Sequence, residues 1–402
     1  MAWGQVMKGI SLLKKYLNFK FQQIKWGEIR VNFKNTYEKV FKANQGDLAS
    51  NIVIKDNTFF SDIFLKGELG FAESYISDKW ETSNLTNLLK ILLKNQQIKK
   101  KNWADNYLSL LIEKFKFFLK SNSINQAKKN IYYHYDLGNK FYSFWLDKSM
   151  TYSSGIFNNE NDDLFTSQIN KYDNIIKNLN IETSDIVLEV GSGWGGFIER
   201  NSQTVKSNIE GLTISQQQYN YIENLIDQKE LSNSSKIFLK DYRKLNLSNT
   251  YDKIVSIEMF EAVGKKYWDI YFKILNNALK KNGKACFQVI TIDDKEYENY
   301  INQVDFIQKY IFPGGVLPSK KILYKLFKDN NFDLYEEKSF GHDYAKTLKL
   351  WKESFNRSWD KISKLNFDNK FKNLWNYYLS YCETGFATGH TNVSQFFVKK
   401  VA

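Results

Sequence analysis

The chain has 402 residues, 57 Lys and Arg against 44 Asp and Glu for a formal net charge of +13, and 16% aromatic residues. That length exceeds one Rossmann-like unit, so a second lobe is expected; the positive balance suits an anionic phospholipid surface or a nucleic acid, and a low-GC coding bias toward Lys, Asn and Ile would give the same excess. Two distant cysteines, Cys286 and Cys382, and three scattered histidines, His134, His342 and His390, argue against a metal site and for a reducing compartment, and the lack of a long uncharged apolar run or signal core argues against a membrane span or secretion.

The first predicted element is a basic amphipathic helix over residues 1–25. Val6, Ile10, Leu13, Leu17, Phe21 and Ile24 recur at helical spacing, while Lys8, Lys14, Lys15, Lys20 and Lys25 occupy other positions. Such a helix lies in the headgroup plane of an anionic membrane or packs on its own domain. Lys94 to Asn102, polar and without apolar periodicity, reads as a linker.

The run Val187-Leu188-Glu189-Val190-Gly191-Ser192-Gly193-Trp194-Gly195-Gly196 is an apolar strand that enters a glycine-rich turn and opens a helix. Glycines there permit positive φ and let a ligand approach the backbone. The spacing fits an S-adenosylmethionine loop better than a dinucleotide loop. Strands are then expected at Ile209 to Ile214, Lys236 to Tyr242, Ile254 to Met259 and Ala285 to Ile292, with helices through Gln218 and Leu225 and from Tyr267 to Leu279. This alternation predicts a parallel doubly wound sheet. Its carboxyl ends should bring Gly191, Thr213, Asp241 and Glu258 to Glu261 to one crevice, where Asp241 and Tyr242 offer a carboxylate and an aromatic face to an adenine. Both prolines, Pro313 and Pro318, fall in one segment after the fifth strand, which marks a defined turn.

Several segments together resemble the cyclopropane-fatty-acyl-phospholipid synthase family. They are His134-Tyr-Asp-Leu-Gly-Asn139, Thr151-Tyr152-Ser153, Ile257 to Gly264, Phe306 to Gly315, Tyr344 to Leu348 with Trp351, and Tyr381 to Phe386. Gly67 to Tyr75 resembles part of that family's smaller N-terminal domain, so the likeness runs from about residue 67 to the C-terminus. It implies an α/β fold: a Rossmann-like class I methyltransferase domain with a smaller N-terminal domain. The expected boundaries are 1–93 for a lipid- or membrane-associated domain, 94–120 for a linker, and 121–402 for the S-adenosylmethionine-dependent catalytic domain.

The resemblance implies a bicarbonate as the bound base. Glu261, Tyr344, Gln288 and backbone groups of Ser154 and Ile290 would hold it, and Cys382 matches a C-terminal cysteine near the site whose ordinary role would be packing. For the cofactor it implies Tyr152 and Ser153 against the methionine moiety, Glu189, Gly191 and Gly193 in the loop, Thr213, Ile214 and Gln218 near the ribose, Tyr242 beside the adenine, and Ile257 completing the pocket. The chain departs from the pattern at Ser154, where many members have Cys, at Ala262, where many have His, and at Gln288, where many have the bicarbonate-binding His. A neutral Gln hydrogen-bonds an anion but relays no proton.

The expected function is therefore transfer of a methyl(ene) group from S-adenosylmethionine to the double bond of an unsaturated phospholipid acyl chain, forming a cyclopropane. The substitution at Gln288 leaves a methyl-branched or methylene product open. An N-methyltransferase acting on a small amine is a second reading. A peripheral membrane or nucleic-acid-binding protein with an inactive methyltransferase domain is a third; the intact glycines and Glu261 count against it, and no nucleic-acid module is present. The expected setting is cytoplasmic and peripheral to an anionic membrane, with a homodimer as one assembly to test.

Overall fold

The computed structural model describes residues 11, 15, 21–33, 37–99 and 137–401. Most of the basic segment before Phe21, residues 100–120 of the expected linker and residues 121–136 of the expected catalytic domain, with the His134 to Asp136 part of the family motif, lie outside the described residues.

The N-terminal lobe is a four-stranded sheet in the order β2-β1-β3-β4. β1 (Glu28–Phe33) pairs antiparallel with β2 (Tyr37–Lys42) and parallel with β3 (Ala49–Ile54), and β4 (Trp80–Glu81) closes the other edge antiparallel to β3. Alternation along β1 buries Ile29, Val31 and Phe33 on one face. Helix α2 (Leu85–Lys99) packs on β1 and β3, whereas α1 (Thr58–Ile76) breaks at Gly67, whose φ of 56° no other residue type adopts as freely. Residues 94–99, expected to open the linker, instead continue α2. Asn95 explains this: it is buried, accepts from the N–H of Lys25 at 2.7 Å, and donates to the Trp26 carbonyl at 2.8 Å, so its polarity closes a chain crossing.

The larger lobe holds a seven-stranded sheet in the order β10-β11-β9-β8-β5-β6-β7. β5 (Ile186–Val190), β6 (Asn208–Thr213), β7 (Ser235–Leu239), β8 (Tyr251–Ile257) and β9 (Leu279–Ile292) run parallel, and β11 (Thr391–Lys400) is inserted antiparallel between β9 and β10 (Phe332–Ser339). The interior strand β5 is almost wholly buried, as a sheet covered on both faces requires. The connecting helices are α3 (Leu164–Leu179), α4 (Gly196–Thr204), α5 (Gln216–Gln228) and α6 (Trp268–Ala278). Side chains of Asp163 and Ser215 accept the N–H groups of Thr166 and Gln218, capping α3 and α5.

Three expected strands have different limits; the fourth runs Tyr251–Ile257 rather than Ile254 to Met259, so Glu258 lies just beyond it. The third stops at Leu239, because the Asp241 carboxylate accepts the Arg243 N–H and turns Tyr242–Lys244 into a 3-10 turn. The fifth begins at Leu279 rather than Ala285. Since β6 and β8 flank β5 on opposite sides, the chain switches direction at β5, which places a crevice at its carboxyl end.

Helices α7 (Gly341–Arg357) and α8 (Asn369–Ala387) join the lobes. Lys352 on α7 donates to Glu383 on α8 at 2.7 Å and to the Thr86 hydroxyl at 2.6 Å, while Thr86 donates to Glu383 at 2.8 Å. Trp80 and Leu88 of the small lobe and Trp145, Trp351 and Trp375 of the large one belong to a single buried apolar cluster. No helix among the described residues is long and apolar enough to cross a membrane.

Candidate active site

The end of β5 is built as a cradle. Gly191, Gly193 and Gly195 take φ of 84°, 54° and 85°, a sequence of left-handed conformations that reverses the chain and starts α4. A Cβ on Gly193 would meet no atom within 4 Å, so that face of the turn opens on free space, whereas one on Gly191 would strike Met259. The helix start with its unpaired N–H groups favours a polar or anionic ligand. Opposite it, the buried Tyr242 hydroxyl has no hydrogen-bond partner among the described residues, and its ring packs edge-on to Tyr271. The neighbouring Asp241 also lines the cavity and is held by Arg243, which donates to its two oxygens at 2.9 and 2.7 Å. These features fit a bound nucleoside: open backbone, an aromatic wall and an unsatisfied hydroxyl.

From this cradle a cavity of about 1570 Å³ runs into the small lobe, where Phe59, Ile63, Phe71, Leu89 and Leu92 form apolar walls. All ten residues expected to hold the cofactor line it: Tyr152, Ser153, Glu189, Gly191, Gly193, Thr213, Ile214, Gln218, Tyr242 and Ile257. Thr213 and Gln218 are bonded to each other at 2.9 Å. Of the six expected catalytic residues, Glu261, Tyr344, Ile290 and Cys382 line it too. Ser154 and Gln288 do not; both are fully buried and reach the cavity only through Glu258.

Glu258 and Glu261 stand just past the end of β8, and both are anchored by β9, through Gln288 and Ile290. Oε1 of Glu258 accepts from the Ser154 N–H at 2.9 Å and from Gln288 Nε2 at 2.8 Å, while its Oε2 accepts from the Tyr344 hydroxyl at 2.6 Å. Gln395 on β11 donates to Gln288 Oε1 at 3.0 Å, which fixes the Gln288 amide with its NH2 toward Glu258. Oε1 of Glu261 accepts from the Ile290 N–H at 2.5 Å, and its Oε2 has no hydrogen-bond partner among the described residues. The proline turn closes over this pair: the Val316 N–H donates to the Glu261 carbonyl, and Pro313 lines the cavity.

Burial dominates the electrostatics. It raises both carboxyls above the ordinary range; the three donors and the charge of Lys171 oppose this at Glu258, while the Glu258 charge adds to it at Glu261, which is pushed up to about 8. Burial also pushes Glu189 up to about 7 and raises the Cys382 thiol far above its usual value, so the latter is no nucleophile at neutral pH. Tyr344 is likewise raised and stays a hydrogen-bond donor.

Lys171 is the site residue that sequence reasoning missed. It lies on α3, wholly buried, donates to the Ser153 hydroxyl at 2.6 Å, and is drawn down to about 7 by burial against the attraction of Glu258, Asp147 and Glu189. On a helix with an ordinary amphipathic pattern nothing local distinguishes it from a surface lysine. Glu258 was placed in the crevice by its strand, but its partners come from positions 104, 30 and 86 residues away, which no local pattern reports.

Comparison with known proteins agrees with this geometry. Residues 122–396, more than half of the chain, match the family model described as mycolic acid cyclopropane synthetase. A cyclopropane-fatty-acyl-phospholipid synthase of Escherichia coli (strain K12) is 32% identical over 348 residues, 86% of each chain. A tuberculostearic acid methyltransferase of Mycobacterium tuberculosis is 31% identical over 338 residues, covering 82% of this chain and 78% of its own. Among solved structures, a mycolic acid cyclopropane synthase complexed with SAH and CTAB superposes with a TM-score of 0.64 at 28% identity, over 68% of this chain and 98% of its own.

Proposed function

Because the chain belongs to the mycolic acid cyclopropane synthetase family and has the class I methyltransferase fold, we propose that it transfers the one-carbon group of S-adenosylmethionine to the double bond of an unsaturated phospholipid acyl chain, forming a cyclopropane fatty acid. One observation carries the reading: the nucleoside-shaped cradle at Gly191 to Gly195 and the apolar walls of the small lobe are ends of the same cavity, which the half-buried carboxyls of Glu258 and Glu261 also line.

S-adenosylmethionine, when bound, supplies an electrophilic methyl group on a sulfonium. The chain's own residues provide the rest. Gly191, Gly193, Tyr242 and Gln218 would hold the cofactor, with Tyr152 and Ser153 toward its reactive end. An alkene is a weak nucleophile, so alignment and exclusion of water matter more than activation. The cavity meets both needs: its far walls are apolar, and Tyr152, Tyr344, Tyr378 and Phe386 supply aromatic faces that stabilise a carbocation without adding to it. Closure of the ring then needs a base for one proton. The family resemblance supplies bicarbonate for that role. In this fold Ser154, Gln288 and Tyr344 are bonded to Glu258 and Ile290 to Glu261, so the expected bicarbonate donors are occupied by side chains and no step here is routed through that ion.

A methylene or methyl-branched product is the second reading, favoured by Gln288 and by the likeness to a tuberculostearic acid methyltransferase. A saturated branch consumes a hydride that S-adenosylmethionine does not furnish, so this route needs a separate reductant. The anionic membrane surface as docking partner and a homodimer belong to the same proposal; the net charge of +13 supports the former. The test is mass spectrometry of lipids from a host expressing the chain: a mass gain of one CH2 per unsaturated chain supports the reading, and unaltered lipids beside an active S-adenosylmethionine-consuming protein argue for a different acceptor.

A further inference from the structure

We propose that the carboxylate of Glu258 is the resident general base of this enzyme, standing where a bicarbonate would otherwise be held. The inference rests on the methyl-transfer reading above and names the group that takes the proton.

The geometry around Glu258 is that of an anion site filled by the chain itself. A backbone N–H, a side-chain amide and a phenol converge on one carboxylate at 2.9, 2.8 and 2.6 Å. A carboxylate accepts about four hydrogen bonds, so one lone-pair position stays open, and Glu258 lines the cavity. Buried Lys171 attracts the ionised form. The second carboxylate nearby, Glu261, has one acceptor bond and one bare oxygen and is the member of the pair that holds a proton at neutral pH. Of two adjacent carboxyls in such unequal surroundings, the one that is ionised is the one able to accept a proton.

The backbone adds an independent sign. Glu258 sits at φ 50°, a left-handed conformation uncommon outside Gly, Asn and Asp. Such strain persists where surrounding structure over-determines it, and at the end of β8 it turns this carboxylate toward Ser154, Gln288 and Tyr344.

The step balances without any further reactant. Addition of the methyl group to the alkene leaves a cation on the adjacent acyl carbon. A C–H bond of the new methyl breaks, its electron pair forms the C–C bond that closes the ring, and the proton forms an O–H bond with Glu258. The acid is returned to carboxylate by passing its proton to solvent on product release.

The test uses the full-length chain with carbon-13 bicarbonate as the probe and S-adenosylmethionine calorimetry as the check on folding. Wild type is expected to show no saturable bicarbonate binding and turnover in CO2-free buffer that changes by less than about twofold when bicarbonate is added. Glu258→Gly suits the positive φ and vacates the site; it is expected to bind bicarbonate, to lose about a hundredfold in turnover, and to regain about tenfold with bicarbonate or formate. Saturable binding to wild type, bicarbonate-dependent wild-type turnover, or undiminished turnover of Glu258→Gly in CO2-free buffer would overturn the proposal, as would absence of bicarbonate binding to both proteins. If the Gly variant does not bind S-adenosylmethionine, Glu258→Gln replaces it, with loss of turnover at unchanged cofactor affinity expected and retained turnover contrary. The binding arm involves no lipid, so a wrong acyl acceptor and a wrong base give different results.

Discussion

The hydroxyl of Tyr344 donates to Oε2 of Glu258 across 2.6 Å, tying the first turn of α7 to the end of strand β8. This bond spans the two halves of the catalytic lobe and orients a buried carboxylate. Tyr344→Phe leaves that oxygen without a partner, which costs about 1 to 3 kcal/mol of stability. Turnover is expected to fall by about tenfold to a hundredfold with the S-adenosylmethionine dissociation constant unchanged, checked by steady-state kinetics and calorimetry. Equal loss of cofactor affinity would instead assign Tyr344 to the cofactor cradle.

Gly193 bounds open space in the cofactor cradle, and a Cβ there meets no protein atom within 4 Å. Gly193→Val therefore obstructs the ligand rather than the fold, apart from a backbone cost of about 1 to 3 kcal/mol at its positive φ. Calorimetry should show at least about a tenfold loss of S-adenosylmethionine affinity in protein that still unfolds cooperatively. Unchanged affinity would remove the cofactor from this turn.

Glu261 links the site to pH. Burial raises its carboxyl from 4.5 to about 8, so the folded chain keeps a proton that the unfolded chain releases. The stability this confers is fully present below pH 4.5 and is lost as pH rises to about 8, with a slope of at most about 1.4 kcal/mol per pH unit. Glu261→Gln is neutral throughout, so its stability relative to wild type should climb between pH 5 and 8 and level off above, read from urea midpoints. A flat difference would show that Glu261 is ionised in the fold at neutral pH. The same variant should bind S-adenosylmethionine normally, read by calorimetry.

The basic start of the chain predicts association with anionic vesicles that weakens with salt, since exposed charges are screened over about 8 Å at physiological ionic strength. Phe21 is buried against Phe41 and lines the cavity, so the informative truncation removes residues 1–20 and keeps Phe21. Co-sedimentation with anionic vesicles should drop in the truncated chain at low salt. Unaltered binding would assign the segment to packing.

The sequence by itself determined the fold class and the place of the site, because both rest on short-range pattern. Strand and helix periods alternate from Val187 onward, and the glycine turn after β5 can be read without knowing what lies across from it. That strand ends share one edge of a parallel sheet brought Gly191, Thr213 and Glu258 together on topology alone. Limits of elements were less legible: the third strand stops early because the Asp241 side chain competes for backbone N–H groups, and Asn95 continues a helix where polarity suggested a linker. Tertiary structure alone decided which carboxylate the site is built around. Glu258 and Glu261 are three residues apart and chemically identical in sequence. Only the fold sets Ser154, Gln288 and Tyr344 on the first and leaves an oxygen of the second without a partner among the described residues, and only the fold brings the buried Lys171 near Glu258, whose charge opposes the loss of the lysine proton that burial favours. Charge state in a protein interior follows from solvation and from partners distant in the chain, and neither is a property of neighbouring residues.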